Sequence, residues 1–444
     1  GLPVGLRERI LDRAEGNPLF VEETIRMLID RGAITHRDGR WVAGTGIEEV
    51  GVPDSIEALI RSRLDALPRE ALAVLQAGAV IGRVFQRDAV AGLTDETANR
   101  HLDDAVLRDL LTIEAGAPAS YRFKHILIRD VAYATLPKAR RAELHLAVID
   151  WLARRAGDRR DEFVEIEAFH LEQAARLQAE LLGRSEVAVR DRAVAALSDA
   201  ARKALARHDF RASEGFADRA LALSPSDDAI AAELEALIVE SLVARGELGK
   251  ARPIADRLEA TAARLGRKDL RGQALLAIGM DSWIGPGRST DAHDAVRILE
   301  EAHAELEEAG DRAHQFDVDY NLGWEGWWYG DLELAATRWE NAAALAHEIG
   351  DAGREATALL RRVIEEIDAA VRFHAQDQLP MPLEHAVLDH HQLEVVEDET
   401  GRRLRVLLVD CDPQGNATRG LGRLALYSVH RSQFWWRRQF WQLQ

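Results

Sequence analysis

One cysteine, Cys411, stands in 444 residues, which excludes internal disulfides and any multi-thiolate metal centre. No apolar run approaches the roughly 18 residues that span a bilayer, and no basic-then-apolar leader opens the chain. The expected location is the cytoplasm, with no membrane partner. Positive charge is in deficit: 57 Lys and Arg against 75 Asp and Glu give a formal charge of −18. That excess repels phosphate backbones over most of the surface and argues against nucleic acid as a partner. The glycine loop Gly-x-x-x-x-Gly-Lys-Ser/Thr is missing. The only Gly-Lys pair, Gly249-Lys250, lacks the preceding glycine that a phosphate cradle needs. ATP hydrolysis by this chain alone is therefore not expected. A nucleophile elbow, His-Glu-x-x-His and a dinucleotide fingerprint are also missing, and no residue is assigned a catalytic or metal-ligating role. The chain opens on Gly1, not Met, as expected of a piece of something longer.

What is present is a globular composition: 47% hydrophobic against 30% charged residues argues against global disorder. At about 150 residues per domain, the length suggests about three domains. Asn17 and Pro18 form a helix start, Gly32 a helix stop, and Val21, Ile25, Leu28 and Ile29 one apolar stripe. Asp54 with Glu57 three residues on reads as a capping box, ahead of Ile56, Leu59, Ile60, Leu64 and Leu67. Pro68 ends or redirects that helix. Two short helices follow, then a longer one from near Asp95 to Leu111. Strands Leu111–Glu114 and Ser120–Phe123 come next, joined by a turn with Gly116 and Pro118. Three helices and then a hairpin is the winged-helix order. Its third helix carries Asp95, Glu96, Asp103, Asp104 and Asp109 against Arg100 and Arg108, a poor surface to set against DNA phosphates.

Beyond about residue 150 the chain reads as helical and self-similar. Blocks beginning at Ser213, Ala251, Ala295 and Ala335 start 38, 44 and 40 residues apart, with small residues recurring at the first and last places of most of them. Small residues at fixed places are what two closely approaching helices need. Leu322-Gly323, Ala335, Trp339 and Ala342 resemble the Leu-Gly, Ala, large apolar and Ala positions of tetratricopeptide repeats, and Pro225 falls where that family's proline ends a unit. The spacing exceeds the family's, and Asp319 stands where its tryptophan would. The resemblance implies a stacked α-helical superhelix that binds a protein partner or small effector. Trp324, Trp327, Trp328, Tyr329 and Trp339 are expected for the most part to pack inside hairpins; the alternative is an aromatic anchor for a partner, with Trp324, Trp327 and Trp328 as the candidate partner-binding residues.

Gly16 to Leu152 resembles part of the signal-transducing (STAND) ATPases, which occur attached to bacterial nucleotide cyclases and LuxR-type regulators. The carrying residues are Gly16-Asn17-Pro18-Leu19-Phe20-Val21-Glu22-Glu23, Asp38-Gly39-Arg40-Trp41, Val52-Pro53-Asp54-Ser55, and Phe123-Lys124-His125-Ile126-Leu127-Ile128-Arg129-Asp130-Val131-Ala132-Tyr133. The resemblance implies a P-loop domain that this sequence lacks, with ATP or ADP bound only in the longer protein and no cofactor on this chain alone. It makes Pro18 an adenine contact and His125 a phosphate contact. Physically, His125 lies between a strand and a helix, where ring and free amides would favour an anion. The other reading is a plain helix start for Pro18 and a packed, backbone-satisfied ring for His125. Lys124 and Arg129 read as solvated charges.

The tail breaks the pattern, with an apolar strand-like run over Val406–Val409. Residues 376–401 show no clear period, and Glu384, His385, Asp389, His390 and His391 read as a polar linker, with a divalent-ion clamp the alternative. Arg405 to Gly422 resembles the strand and loop after the deviant P-loop of ParA-type partition ATPases, in which Asp410 and Asp412 would lie near magnesium. The lysine-bearing loop that precedes it in that family is absent, so a chimeric end is expected. Phe434 to Trp441 reads as a disordered, aggregation-prone end.

The expected fold is mostly α: the end of a STAND helical subdomain over 1–50, a winged-helix domain over 51–150, tetratricopeptide-like repeats over 151–375 and an irregular tail over 376–444. The expected function is a sensor fragment that gates nucleotide, self-associating when active. The alternative is a nucleotide-independent scaffold, and a third reading is transcriptional control through the wing.

Overall fold

The structure is a computed structural model describing residues 4–37, 40–44, 47, 51–94, 98–114, 120–287, 292–362, 387–398, 401–411 and 424–428. They divide into two compact units, residues 1–237 and 238–444.

The first unit opens with helices α1 (Val4–Ala14) and α2 (Pro18–Asp30), a hairpin of β1 (Ile34–Arg37) and β2 (Arg40–Ala43), and α3 (Ile56–Asp65). Asn17 caps α2, its side chain accepting from the Leu19 amide, and Pro18 sits in the first turn, where no N–H is required. The buried side of α2 is Phe20, Glu23, Thr24, Met27 and Leu28. Of the expected stripe, Leu28 is buried while Val21, Ile25 and Ile29 are half-buried along its flank, Glu23 and Thr24 sharing the inner face with it. The cap of α3 is Ser55, whose hydroxyl accepts from Ala58 N, and not the expected Asp54. Asp54 is instead exposed and paired with Arg13 at 3.0 Å.

Next come α4 (Arg69–Ile81), β3 (Val84–Gln86), α5 (Arg87–Leu93), α6 (Ala98–Leu107), β4 (Leu111–Glu114) and β5 (Ser120–Phe123). The two expected strands fall at their expected bounds, and β3 adds a third, giving the antiparallel order β3-β5-β4. Three residues are too short for β3 to show a period in sequence. Phe85 and Phe123 meet at 5.5 Å between ring centroids and, with Tyr121, Leu102, Leu110 and Leu111, fill the core beneath. Helix α6 stops at Leu107, short of the expected Leu111. Its end is closed by Asp109 N to Val106 O and Leu110 N to Ala105 O, with Asp109 left-handed at φ 60°. Leu110 and Leu111 can then turn inward. Helices α7 (Ile126–Thr135), α8 (Lys138–Ala156), α9 (Val164–Leu182), α10 (Val187–Ala206) and α11 (Phe210–Ala222) complete the unit, and α12 (Asp228–Ala244) crosses the division.

The second unit continues with α13 (Leu248–Leu265), α14 (Lys268–Ile284), α15 (Ala292–Ala309), α16 (Arg312–Tyr329), α17 (Leu332–Glu348) and a helical stretch over 352–362. Each repeated block starts at the fourth residue of α11, α13, α15 or α17. Its first, fifth and eighth residues are sealed: Ser213, Ala217 and Ala220; Ala251, Ala255 and Leu258; Ala295, Leu299 and Ala302; Ala335, Trp339 and Ala342. The spacing of 44 arises after α14, where Gly285 and Gly287 wrap the buried Asp281 carboxylate and lengthen the link to α15. These are tetratricopeptide-like helical repeats.

Where an irregular tail is expected, Val387–Asp398 (β6), Gly401–Cys411 (β7) and Leu424–Ser428 (β8) form an antiparallel sheet in the order β6-β7-β8. Strand β6 carries no apolar–polar alternation in sequence, and its register with β7 shifts between Gln392 and Glu394.

Candidate functional site

Asp109 occupies a position where glycine is the usual choice, since left-handed backbone costs an L-residue about 1–2 kcal/mol and Asp bears it better than most. That conformation turns its carboxylate towards α2. There it meets Arg26 at 2.6 Å and the Lys124 ammonium, and Lys124 also reaches Glu22 on α2 at 2.6 Å. Lys124 is held in place by its own backbone, its N–H donating to Leu110 O at 3.1 Å. Burial works against charge on this lysine, but hydrogen bonds to Asp109 and Glu22 outweigh it and hold its pKa above the ordinary value. Lys124 is therefore not a solvated charge. Nor is Arg129, which donates to Ala79 O at 2.9 Å and lies over the Tyr133 ring.

The same turn is gripped from α3. Arg63, buried, pairs with buried Glu23, with Asp30 at 3.0 Å, and donates to Arg108 O at 2.6 Å. Two stretches that lie about a hundred residues apart in sequence, the one bearing Pro18 and the one bearing His125, are thus joined by ion pairs.

His125 is the N-cap of α7, its Nδ1 accepting from Leu127 N at 3.2 Å, and it is half-buried. The cap makes Nδ1 the acceptor, so a neutral ring carries its proton on Nε2 and presents an N–H donor. That is the form that suits a phosphate oxygen. Pro18 is exposed at the start of α2. Lys124, Glu22, Asp109 and Arg63 escaped sequence reasoning. The first two lie inside the motifs, but the partner of each is decided by contacts no local pattern encodes.

In the second unit, the aromatic residues separate by environment. Trp339 is buried, edge-on to half-buried Trp324 at 5.9 Å, and Arg361 lies 4.2 Å over Trp324. Trp327 and Trp328 are exposed, 37% and 65% accessible, as is Tyr329. The expectation that most of the tryptophans pack inside hairpins fails for these two, which sit on the last turn of α16. Among the described residues no group of three or more His, Cys, Asp or Glu could hold a metal ion, and no helix is long and apolar enough to cross a membrane. Asp410 lies in β7, whereas Glu384, His385, Asp412 and residues 429–444 lie outside the described residues.

Residues 1–41 match a domain of unknown function (DUF8739). No curated protein matches the chain. Among solved structures, it is similar to the Signal Transduction ATPase with Numerous Domains (STAND) protein with a tetratricopeptide repeat sensor, PH0952, from Pyrococcus horikoshii. Identity there is 11%, covering 85% of this chain and 56% of that one, with a TM-score of 0.34. The chain thus spans little more than half of that protein's length. BtubC (BKLC) from P. vanneervenii is 16% identical over 47% of this chain and 92% of its own, with a TM-score of 0.31. Aspartyl phosphate phosphatase F from Bacillus subtilis is 11% identical over 74% and 86%, also at 0.31. Overlap this loose transfers neither a residue role nor an activity.

Proposed function

We propose that this chain is the regulatory part of a STAND-type signalling ATPase. The unit from α4 to β5 has the helix–strand–helix–helix–strand–strand order of a winged helix and serves as a lid. Nucleotide is held by a P-loop domain outside this sequence, with Pro18 against the base and the His125 Nε2–H donated to a phosphate oxygen. The helical repeats receive a partner or effector, whose preference for the open form shifts the balance toward self-association; a few kcal/mol of differential binding suffices.

The observation that carries this reading is the ion-paired junction: Glu22 and Lys124 meet at 2.6 Å, so Pro18 and His125 lie on elements held to each other. The test joins the P-loop domain of the parent gene to this chain and measures ADP retention. His125→Ala is expected to release ADP at least 10-fold faster, the equivalent of about 1.4 kcal/mol; unchanged retention overturns the gate. The nucleotide-independent scaffold is favoured by one observation, the exposed Trp327 and Trp328, and it is what remains if retention is unchanged.

A further inference from the structure

We infer that Lys124 and Asp109 are positioning residues that clasp the β5–α7 turn to α2, so that the turn bearing His125 and the helix bearing Pro18 loosen together and not one at a time. The inference rests on the gating reading for its purpose but not for its geometry. Glu22, Lys124, Asp109 and Arg26 form a chain of alternating charge, in which each carboxylate touches Lys124 and Asp109 also touches Arg26. Two of the four belong to α2 and two to the wing side. The backbone is committed as well: the Lys124 amide is bonded to Leu110 O, one residue beyond Asp109, and the next residue, His125, caps α7. Movement of Lys124 therefore pulls on the cap, and movement of Asp109 pulls on the turn whose Arg108 carbonyl is held by Arg63. Side-chain exposures of 24% to 47% leave the clasp open to salt, unlike the sealed Arg63–Glu23 pair. It can therefore open while the core beneath stays intact.

The test is amide hydrogen exchange on the full chain, following peptides that cover residues 19–26 and 124–130 at low and at 0.5 M salt. Lys124→Met is expected to speed exchange in both peptides by about 3-fold to 10-fold, as the loss of two part-exposed pairs would. Raised salt is expected to do the same to the wild type and little more to the variant. Asp109→Asn, which keeps the left-handed backbone, should act like Lys124→Met, and the double variant should add little. Lys124→Arg should restore protection, which a merely space-filling lysine would not require. Exchange that rises in one peptide only, additive effects, or salt-independent protection would each overturn the clasp. Unchanged ADP retention in His125→Ala, with the coupled exchange intact, would remove the gate and leave the clasp standing.

Discussion

Arg63 and the paired histidines are the residues where burial and charge most directly oppose one another. Arg63 and Glu23 are about 2% exposed, and taking away one partner leaves a sealed, uncompensated charge. Arg63→Met is expected to destabilise the first unit by about 3–5 kcal/mol in urea unfolding. Replacing Arg63 and Glu23 together by apolar residues should cost much less; equal losses would mean the pair is hydrated. At the α7–α9 packing, Tyr133 Oη meets His145 Nε2 at 3.0 Å, and His145 Nδ1 meets His170 Nδ1 at 2.7 Å. Neutral rings satisfy this chain if Tyr133 donates to His145 and His145 donates to His170. Burial first, then the neighbouring ring and arginines for His145 and Arg129 for His170, push both below the ordinary 6.5. The unfolded chain takes up protons below that value and the folded one does not, so stability falls as pH drops from about 6.5.

His314 has the opposite sign. Burial disfavours its charge, but a hydrogen bond to Asp311 at 2.7 Å and an ion pair with Glu240 at 3.8 Å prevail and raise it to about 10. Its contribution is full below pH 6.5 and lost as pH climbs through about 10. Urea midpoints measured across pH 5–10 should show the acid slope flattened by His145→Gln and the alkaline slope by His314→Gln. An unchanged slope in either variant would sink the corresponding assignment.

Single elements here are short sequences with strong stops, which is why many were readable. Gly330, left-handed at φ 82°, ends α16, and Asp331 directly after it caps α17 through Leu334 N at 3.0 Å. Gly310-Asp311 and Gly350-Asp351 repeat this junction, 20 residues to either side. Asp331→Ala is expected to cost about 1 kcal/mol, read as a lower unfolding midpoint. Packing between the elements is tighter. A Cβ on Gly323 would stand 2.4 Å from Trp339 Nε1, and one on Gly279, at the same place in α14, 2.7 Å from Leu299. Gly323→Val should therefore destabilise by about 1–3 kcal/mol, and Trp339→Ala by about 3–5 kcal/mol through the cavity it leaves. If both are tolerated, α16 and α17 do not approach as described. The periodic small residues announced these contacts in sequence. The stop of α6 at Leu107 was illegible because Asp109, and not glycine, takes the left-handed turn. The strand β6 was illegible because Val387–Asp398 shows no apolar–polar alternation.

At the scale of the molecule, the formal charge of −18 is the property with the broadest consequence. Residues 50–150 should give no shift with duplex DNA even at low salt, since arginines such as Arg63, Arg87 and Arg122 are engaged by carboxylates or by Tyr121; a salt-dependent shift would revive transcriptional control. Recurrence along the chain is equally broad. Four blocks seal the same three places, so the repeats were already set by residues a fixed distance apart, and a helix reads such distances locally.

The cap of α2 at Asn17, the bounds of β4 and β5 and the recurrence of the repeated blocks were determined by the sequence itself, because each rests on residue types at fixed spacings along the chain. Which cation meets which carboxylate was decided only by the tertiary structure. Glu22 and Lys124 are 102 positions apart, and nothing in either neighbourhood distinguishes a paired charge from a hydrated one. Only a fold that turns Asp109 toward Lys124 and brings α2 against the turn after β5 can remove the water between them.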